Sequence, residues 1–325
     1  MATFFSLIRR GNKSALAAAI VNTIIAIIKF VAYILTGNVA MFAEMMHTIG
    51  DAANQFFVYI GSALSKKAPT KRFPNGFGRL VNLVLLAAII VVALLAYETI
   101  REGILHITHG PGEETTGLWI ILTALGIGVV LEVGVFYKAM IEIAHETGLK
   151  SRGLTLVGQS FTHLGQAKPA TRLVFMEDLV ATLGGIIAII AVLISHYTSF
   201  YQAEGIASIL IGLMMFYVVY NVFIQNAAGA LGEIDEVLTA KIGEILLRDE
   251  AVRDIEKLEV IKEGDHFHVE TEIEVDPNLT IAQADDIKDR LELQIRILKG
   301  ITDVTISFDE DDKVQQYQSP SPPVE

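Results

Sequence analysis

The feature that most constrains this chain is a series of apolar runs, each long enough to cross a lipid bilayer. The first extends from Ala15 to Thr36, and about 20 apolar residues suffice to span the hydrocarbon. It is too long for the h-region of a signal peptide and lacks a small-residue cleavage site. A Thr36-Gly37-Asn38 turn follows, then a second helix to about Ser65. Further apolar runs occupy Leu80–Thr99, Leu118–Tyr137, Leu173–Ser195 and Ala203–Ile224. Six spans result. With 52% hydrophobic and 19% charged residues, and a mean hydropathy of +0.49, the composition is that of a polytopic membrane protein.

The second span carries polar chemistry. Within Asn38–Gln55, NVAMFAEMMHTIGDAANQ, stand Glu44, His47 and Asp51. An ionisable group at membrane depth costs at least ~2.5–3.5 kcal/mol and by default marks an ion or proton path. His47 and Asp51 are four apart, so a helix stacks them on one face. An imidazole and a carboxylate so placed are two ligands for a divalent cation, or else a pair of interhelical hydrogen bonds. The fifth span, FMEDLVATLGG, adds Glu177 and Asp178 with no cation beside them in sequence. Lys29, Asn22, Glu98 and Glu132 also lie in apolar helices and read as helix-end anchors or interhelical salt bridges.

Joined near one another, His47, Asp51 and Asp178 offer one nitrogen and at least two oxygen donors. The chain has no cysteine, which excludes disulfides, thiolate metal sites and cysteine nucleophiles. A site of this hardness suits Zn²⁺ and leaves room for Mn²⁺, Fe²⁺ or Co²⁺. Such ligands shed protons to bind metal, so metal and proton compete for them. That competition is the minimal requirement for proton-coupled exchange.

Charge divides the chain in two. From Gly232 onward there are 25 acidic and 10 basic residues, leaving 12 acidic and 15 basic before it. Arg9, Arg10 and Lys13 flank the first span. Lys66, Lys67, Lys71, Arg72 and Arg79 follow the second, and Lys138, Lys150, Arg152, Lys168 and Arg172 follow the fourth. The positive-inside rule places both termini and these loops in the cytoplasm. The basic footprint that nucleic-acid binding needs is missing.

After Gly232 the pattern is that of a small α+β domain: a helix at Glu236–Arg248, strands at Val252–Val260 and His266–Val275, a helix at Ile281–Leu298 and a strand at Val304–Phe308. In the second strand Phe267, Val269, Thr271, Ile273 and Val275 alternate with polar residues, the signature of a half-buried strand. The expected domains are therefore 1–231, a six-helix membrane domain; 232–308, a cytoplasmic αββαβ domain; and 309–325, a disordered acidic, proline-rich tail. No hydrolase or nucleotide motif is present.

Taken together, the six spans, GNVAMFAEMMHTIGD, the FPNGFGR loop, Glu204 opening the sixth span, the LGE at the membrane exit and the αββαβ domain resemble the cation diffusion facilitator family of proton-coupled metal exporters. RLVFMEDLVATLG and Asn54-Gln55 resemble the branch that includes zinc transporter nine. The resemblance implies a homodimer in a lipid membrane that exports Zn²⁺ or a similar ion against protons by alternating access, with no permanently bound cofactor. It implies His47, Asp51 and Asp178 as ligands. The family's fourth position, four before Asp178, is Val174 here; Glu177 or one water takes its place. The usual loop histidine is replaced in Phe73-Pro74-Asn75-Gly76. In the cytoplasmic domain His266 and His268, beside Glu270, are a candidate regulatory metal pair, or an exposed strand face or subunit contact.

Two other classes compete with the exporter. A non-transporting regulatory subunit of a heteromeric carrier fits the half-degenerate fifth-span pair. An intramembrane metalloenzyme would need a general base such as that of HExxH, which HxxxD does not supply, so no enzymatic activity is expected. The compact chain without a transit sequence points to a bacterial inner membrane.

Overall fold

A computed structural model describes residues 8–73, 76–110, 117–149, 153–167, 169–263 and 266–317. Among these residues seven α-helices, α1 (Lys13–Thr36), α2 (Val39–Ser65), α3 (Leu80–His109), α4 (Leu118–Glu146), α5 (Leu154–Thr162), α6 (Pro169–Tyr197) and α7 (Gln202–Leu231), precede a smaller αββαβ set. The latter consists of α8 (Glu236–Leu247), β1 (Asp254–Glu263), β2 (His266–Val275), α9 (Ile281–Arg296) and β3 (Ile301–Glu310). The chain divides into two compact units. One holds the helices through Ala63 with Val84–Gln225, the other Leu64–Leu83 and the chain from Asn226.

The membrane unit is a six-helix bundle built from α1, α2, α3, α4, α6 and α7. Asn12 caps α1, its side-chain oxygen accepting from the Ser14 and Ala15 amides, which are otherwise orphan donors. Gly37 ends that helix at φ 61°, and its amide donates to the Tyr33 carbonyl. Asn38 then opens α2 by accepting from the Met41 amide at 2.9 Å. Two helices meet at one tight corner. One buried core joins all six: Ala32 of α1, Met41 of α2, Ala96 of α3, Leu125 of α4, Val192 of α6 and Met215 of α7, with their neighbours.

Five of the six meet the length and apolarity of a membrane span by composition alone; α2 is the exception among the described helices. At 27 residues it is about 40 Å long, ample for a crossing. Its interior carries Glu44, His47 and Asp51, which lower its hydropathy. A helix shielded by its neighbours does not have to satisfy lipid. In α2 Glu44, His47 and Thr48 are buried along with Met41, Ala43 and Met45.

The helices run past the apolar runs; between the fourth and fifth spans this is the expected extension of both helices, with a turn expected around Lys168-Pro169. Helix α3 continues to His109 and α4 to Glu146, while α6 starts at Pro169. Between α4 and α6 lies the short α5, with Phe136, Phe161 and Phe175 packed as an aromatic cluster. The expected turn at Lys168-Pro169 begins on a residue outside the described set, as do Pro74 and Asn75 of the FPNGFGR loop.

The second unit contains the expected order of elements. Its sheet runs β1-β2-β3, with β1 antiparallel and β3 parallel to β2. Ile242, Leu246, Ile255, Val269, Ile273, Leu291 and Ile295 form the core. Thr280 and Gln283 make a capping box at α9. Two features exceed the sequence pattern. Strand β3 takes in Asp309 and Glu310, and the chain then returns over the domain: the Asp311 amide donates to the Val275 carbonyl at 3.1 Å, and the Gln316 amide donates to the Asp254 carboxylate. The part of the tail expected to be disordered that lies beyond 317 is outside the described residues. Secondly, Glu274, which alternation places outward, is buried.

Candidate metal site in the bundle

Helix α2 carries the site because its geometry stacks residues four apart. His47 Nε2 lies 3.4 Å from Asp51 Oδ2, an ion-pair distance without the alignment of a hydrogen bond, since this nitrogen has no hydrogen-bond partner among the described residues. His47 is buried, whereas the Asp51 side chain is 44% exposed. The pair thus spans the boundary between the packed core and an accessible flank of the helix. A buried imidazole nitrogen left without a hydrogen bond is a lone pair or a proton available to a ligand.

Helix α6 contributes the second half. Asp51 is an electrostatic neighbour of both Glu177 and Asp178, and Glu132 of α4 is a neighbour of Asp178. One carboxylate oxygen of Asp178, Oδ2, is buried without a hydrogen-bond partner among the described residues. The structure therefore brings His47, Asp51, Glu177 and Asp178 into one electrostatic neighbourhood. It does not close them around one point: among the described residues no three His, Asp or Glu side chains stand in a metal-holding arrangement. Val174, a turn before Asp178, is 47% exposed and supplies no donor.

A second polar centre, deeper in the bundle, was only partly visible in the sequence. Lys29 Nζ lies 2.8 Å from Glu44 Oε2 and 3.3 Å from Glu132 Oε1, and donates to Thr48 Oγ1 at 2.9 Å. The interhelical pairing expected of Lys29 and Glu132 is thus present, with Glu44 as the closer partner. Glu98, by contrast, pairs with Arg101 on its own helix at 2.7 Å, exposed. No periodicity links Lys29 to Glu132, 103 positions away; the signal available was the rarity of each charge in an apolar helix.

In the smaller unit His268 is held on both ring nitrogens, Nε2 at 3.2 Å from Glu270 and Nδ1 at 3.1 Å from Asp303 of β3. Parallel pairing of His268 with Asp303 in the β2–β3 register accounts for the second contact. His266 is exposed at the strand start. Both nitrogens of His268 are engaged by carboxylates, and the two histidines belong to no three-residue metal group among the described residues.

Comparison with known proteins matches the cation efflux transmembrane domain over residues 15–228 and the cation efflux protein cytoplasmic domain over residues 234–311. The proton-coupled zinc antiporter SLC30A9, mitochondrial, of Mus musculus is 25% identical over 75% of this chain and 42% of its own length. The probable cation efflux system protein Rv2025c of Mycobacterium tuberculosis is 25% identical over 84% of this chain and 76% of its own. An uncharacterized transporter of Methanocaldococcus jannaschii is 19% identical over 93% of this chain and 99% of its own. The chain spans 42% of the length of the SLC30A9 relative. With family models covering both the bundle and the αββαβ unit, the chain belongs to the cation efflux family.

Proposed function

We propose that this protein is a proton-coupled exporter of a divalent metal cation, Zn²⁺ in the first instance, with Mn²⁺, Fe²⁺ and Co²⁺ as the other candidates. His47, Asp51 and Asp178 bind the ion, and Glu177 or a water supplies the fourth ligand. The observation that carries this reading is the His47–Asp51 pair at 3.4 Å on a membrane helix that also buries Glu44 and Thr48. Family membership and relatives named as proton-coupled zinc antiporters support it.

Coupling follows from ligand chemistry. An imidazole and carboxylates release protons to take a metal and take protons to release it. Exposing the same groups to each side in turn then exchanges the two without a separate proton channel. The protein functions as a homodimer joined through its cytoplasmic domain, in a bacterial inner membrane with both termini and the basic loops in the cytoplasm. Its functional parts are the membrane domain 1–231 and the cytoplasmic domain from 232, whose last strand runs to Glu310.

The test is metal uptake into proteoliposomes carrying a pH gradient, with Asp51→Ala beside wild type. Uptake of one ion with counter-moving protons, abolished in Asp51→Ala, supports the exporter. Val174, where a donor is missing, favours the second reading, a non-transporting subunit of a heteromeric carrier. Wild-type protein that moves none of the four ions, and recovers none of the function on substitution, selects that reading.

A further inference from the structure

Lys29 is 1% exposed in the centre of an apolar bundle. Its ammonium has three protons, and three oxygens on two other helices receive them: Glu44 Oε2, Thr48 Oγ1 and Glu132 Oε1. The ammonium is saturated. The carboxylates are not. Glu44 Oε1 and Glu132 Oε2 are both buried with no hydrogen-bond partner among the described residues.

Small residues on two helices make the room. A Cβ on Gly184 of α6 would lie 2.8 Å from Glu44 Oε1, and one on Gly185 would lie 3.2 Å from Glu132 Oε2. A Cβ on Gly128 of α4 would lie 3.1 Å from Lys29 Cε. Two carboxylates and one hydroxyl thus hold a single cation through three side-chain oxygens, the donor type that Mg²⁺, Ca²⁺ and Mn²⁺ take. Two carboxyl groups share one ammonium; ionised together, they carry the charge that a divalent ion balances.

We propose that Glu44, Thr48 and Glu132 form a second cation site, which Lys29 fills with its own ammonium so that the bundle loads one divalent ion instead of two. Glu44 lies one turn before His47 on α2, and Glu132 is an electrostatic neighbour of His47 and Asp51. The tethered cation therefore also sets the field around the proposed transport site. This consequence rests on the metal-export reading; the site itself does not.

The experiment counts Mn²⁺ per chain on the purified full-length protein, by equilibrium dialysis and by electron paramagnetic resonance. Lys29→Ala is expected to bind one Mn²⁺ more than wild type, and Lys29→Ala/Glu44→Gln to lose that extra ion. Mn²⁺ is also expected to raise the thermal midpoint of Lys29→Ala and not that of the double variant. A folded Lys29→Ala protein with the wild-type count overturns the proposal. So does a Lys29→Ala protein that aggregates at every Mn²⁺ concentration while Lys29→Ala/Glu44→Gln/Glu132→Gln, which carries no buried charge there, stays monodisperse. Failure of the transport reading shows separately, as a wild-type Mn²⁺ and Zn²⁺ count unchanged by His47→Ala.

Discussion

Gly184 of α6 lies against Glu44 of α2 so closely that a methyl group on it would come within 2.8 Å of the Glu44 carboxylate. Glu44 cannot yield freely, because its other oxygen is held by Lys29 at 2.8 Å. Gly184→Ala is therefore expected to destabilise the bundle by about 1–3 kcal/mol, the range for overpacked cores. Gly126→Ala on α4 is the control: apart from its chain neighbours and its own helix backbone, no atom of the described residues lies within 4 Å of its added Cβ, and alanine is the better helix former by up to ~1 kcal/mol. Size-exclusion profiles after a heating series separate the two. Equal losses would show that α6 is free to move away from α2.

Glu177 and Asp178 are adjacent on α6 and both feel the charge of Asp51. Under the proposed ligand set, Asp178→Asn abolishes transport, because it removes an anionic donor the ion requires. Glu177→Gln is expected to weaken Zn²⁺ binding by about tenfold or more, a loss in the range seen when a metal's supporting partners are removed. Isothermal titration of both variants decides between carboxylate and water. An unchanged affinity in Glu177→Gln assigns the fourth position to water.

The part of the site that was legible in the sequence is the part written on one helix. His47 and Asp51 are four apart, and helical geometry alone brings them together. Glu177 and Asp178 were visible as charges without a local partner. The Lys29–Glu44–Glu132 cluster was not legible as a unit, since it joins three helices whose packing no periodicity encodes. Apolar runs and helix ends report different things. Hydropathy marks where lipid ends, at about Tyr137, while the backbone hydrogen bonds of α4 continue to Glu146. In the smaller domain, alternation placed the apolar face of β2 correctly. Glu274 is buried instead, beside the returning chain at Asp311 and Asp312, which has no apolar pattern of its own.

Arg79, in the loop before α3, meets Glu263 at the end of β1 at 3.0 Å and donates to the Leu231 carbonyl at 3.3 Å. The Arg79 side chain is 38% exposed, so the pair is screened and its coupling should be at most about 1 kcal/mol. Arg79→Ala is expected to cost more than Glu263→Ala, since it also leaves the α7 carbonyl without this donor. A double-mutant cycle on thermal unfolding isolates the pair. A coupling of zero would leave Arg79 with a role at Leu231 alone.

Glu274 gives a pH dependence of defined sign. Burial, then the charges of Asp312, Asp254 and Asp311, push its carboxyl above the ordinary glutamate value, with the Asp312 amide opposing. In strand register it sits opposite Asp254 on one side and Asp309 on the other. The folded state thus holds this proton to a higher pH than the unfolded chain, whose carboxyl titrates near about 4.3. Stability from this group is fully present below that value and is lost as pH rises through the folded value. Glu274→Gln removes the loss. Hydrogen exchange of the β2 amides is expected to be slower in the variant than in wild type at neutral pH, and the two should converge toward pH 4. Slower exchange in the wild type at neutral pH would mean that the Glu274 carboxylate is stabilised by a cation.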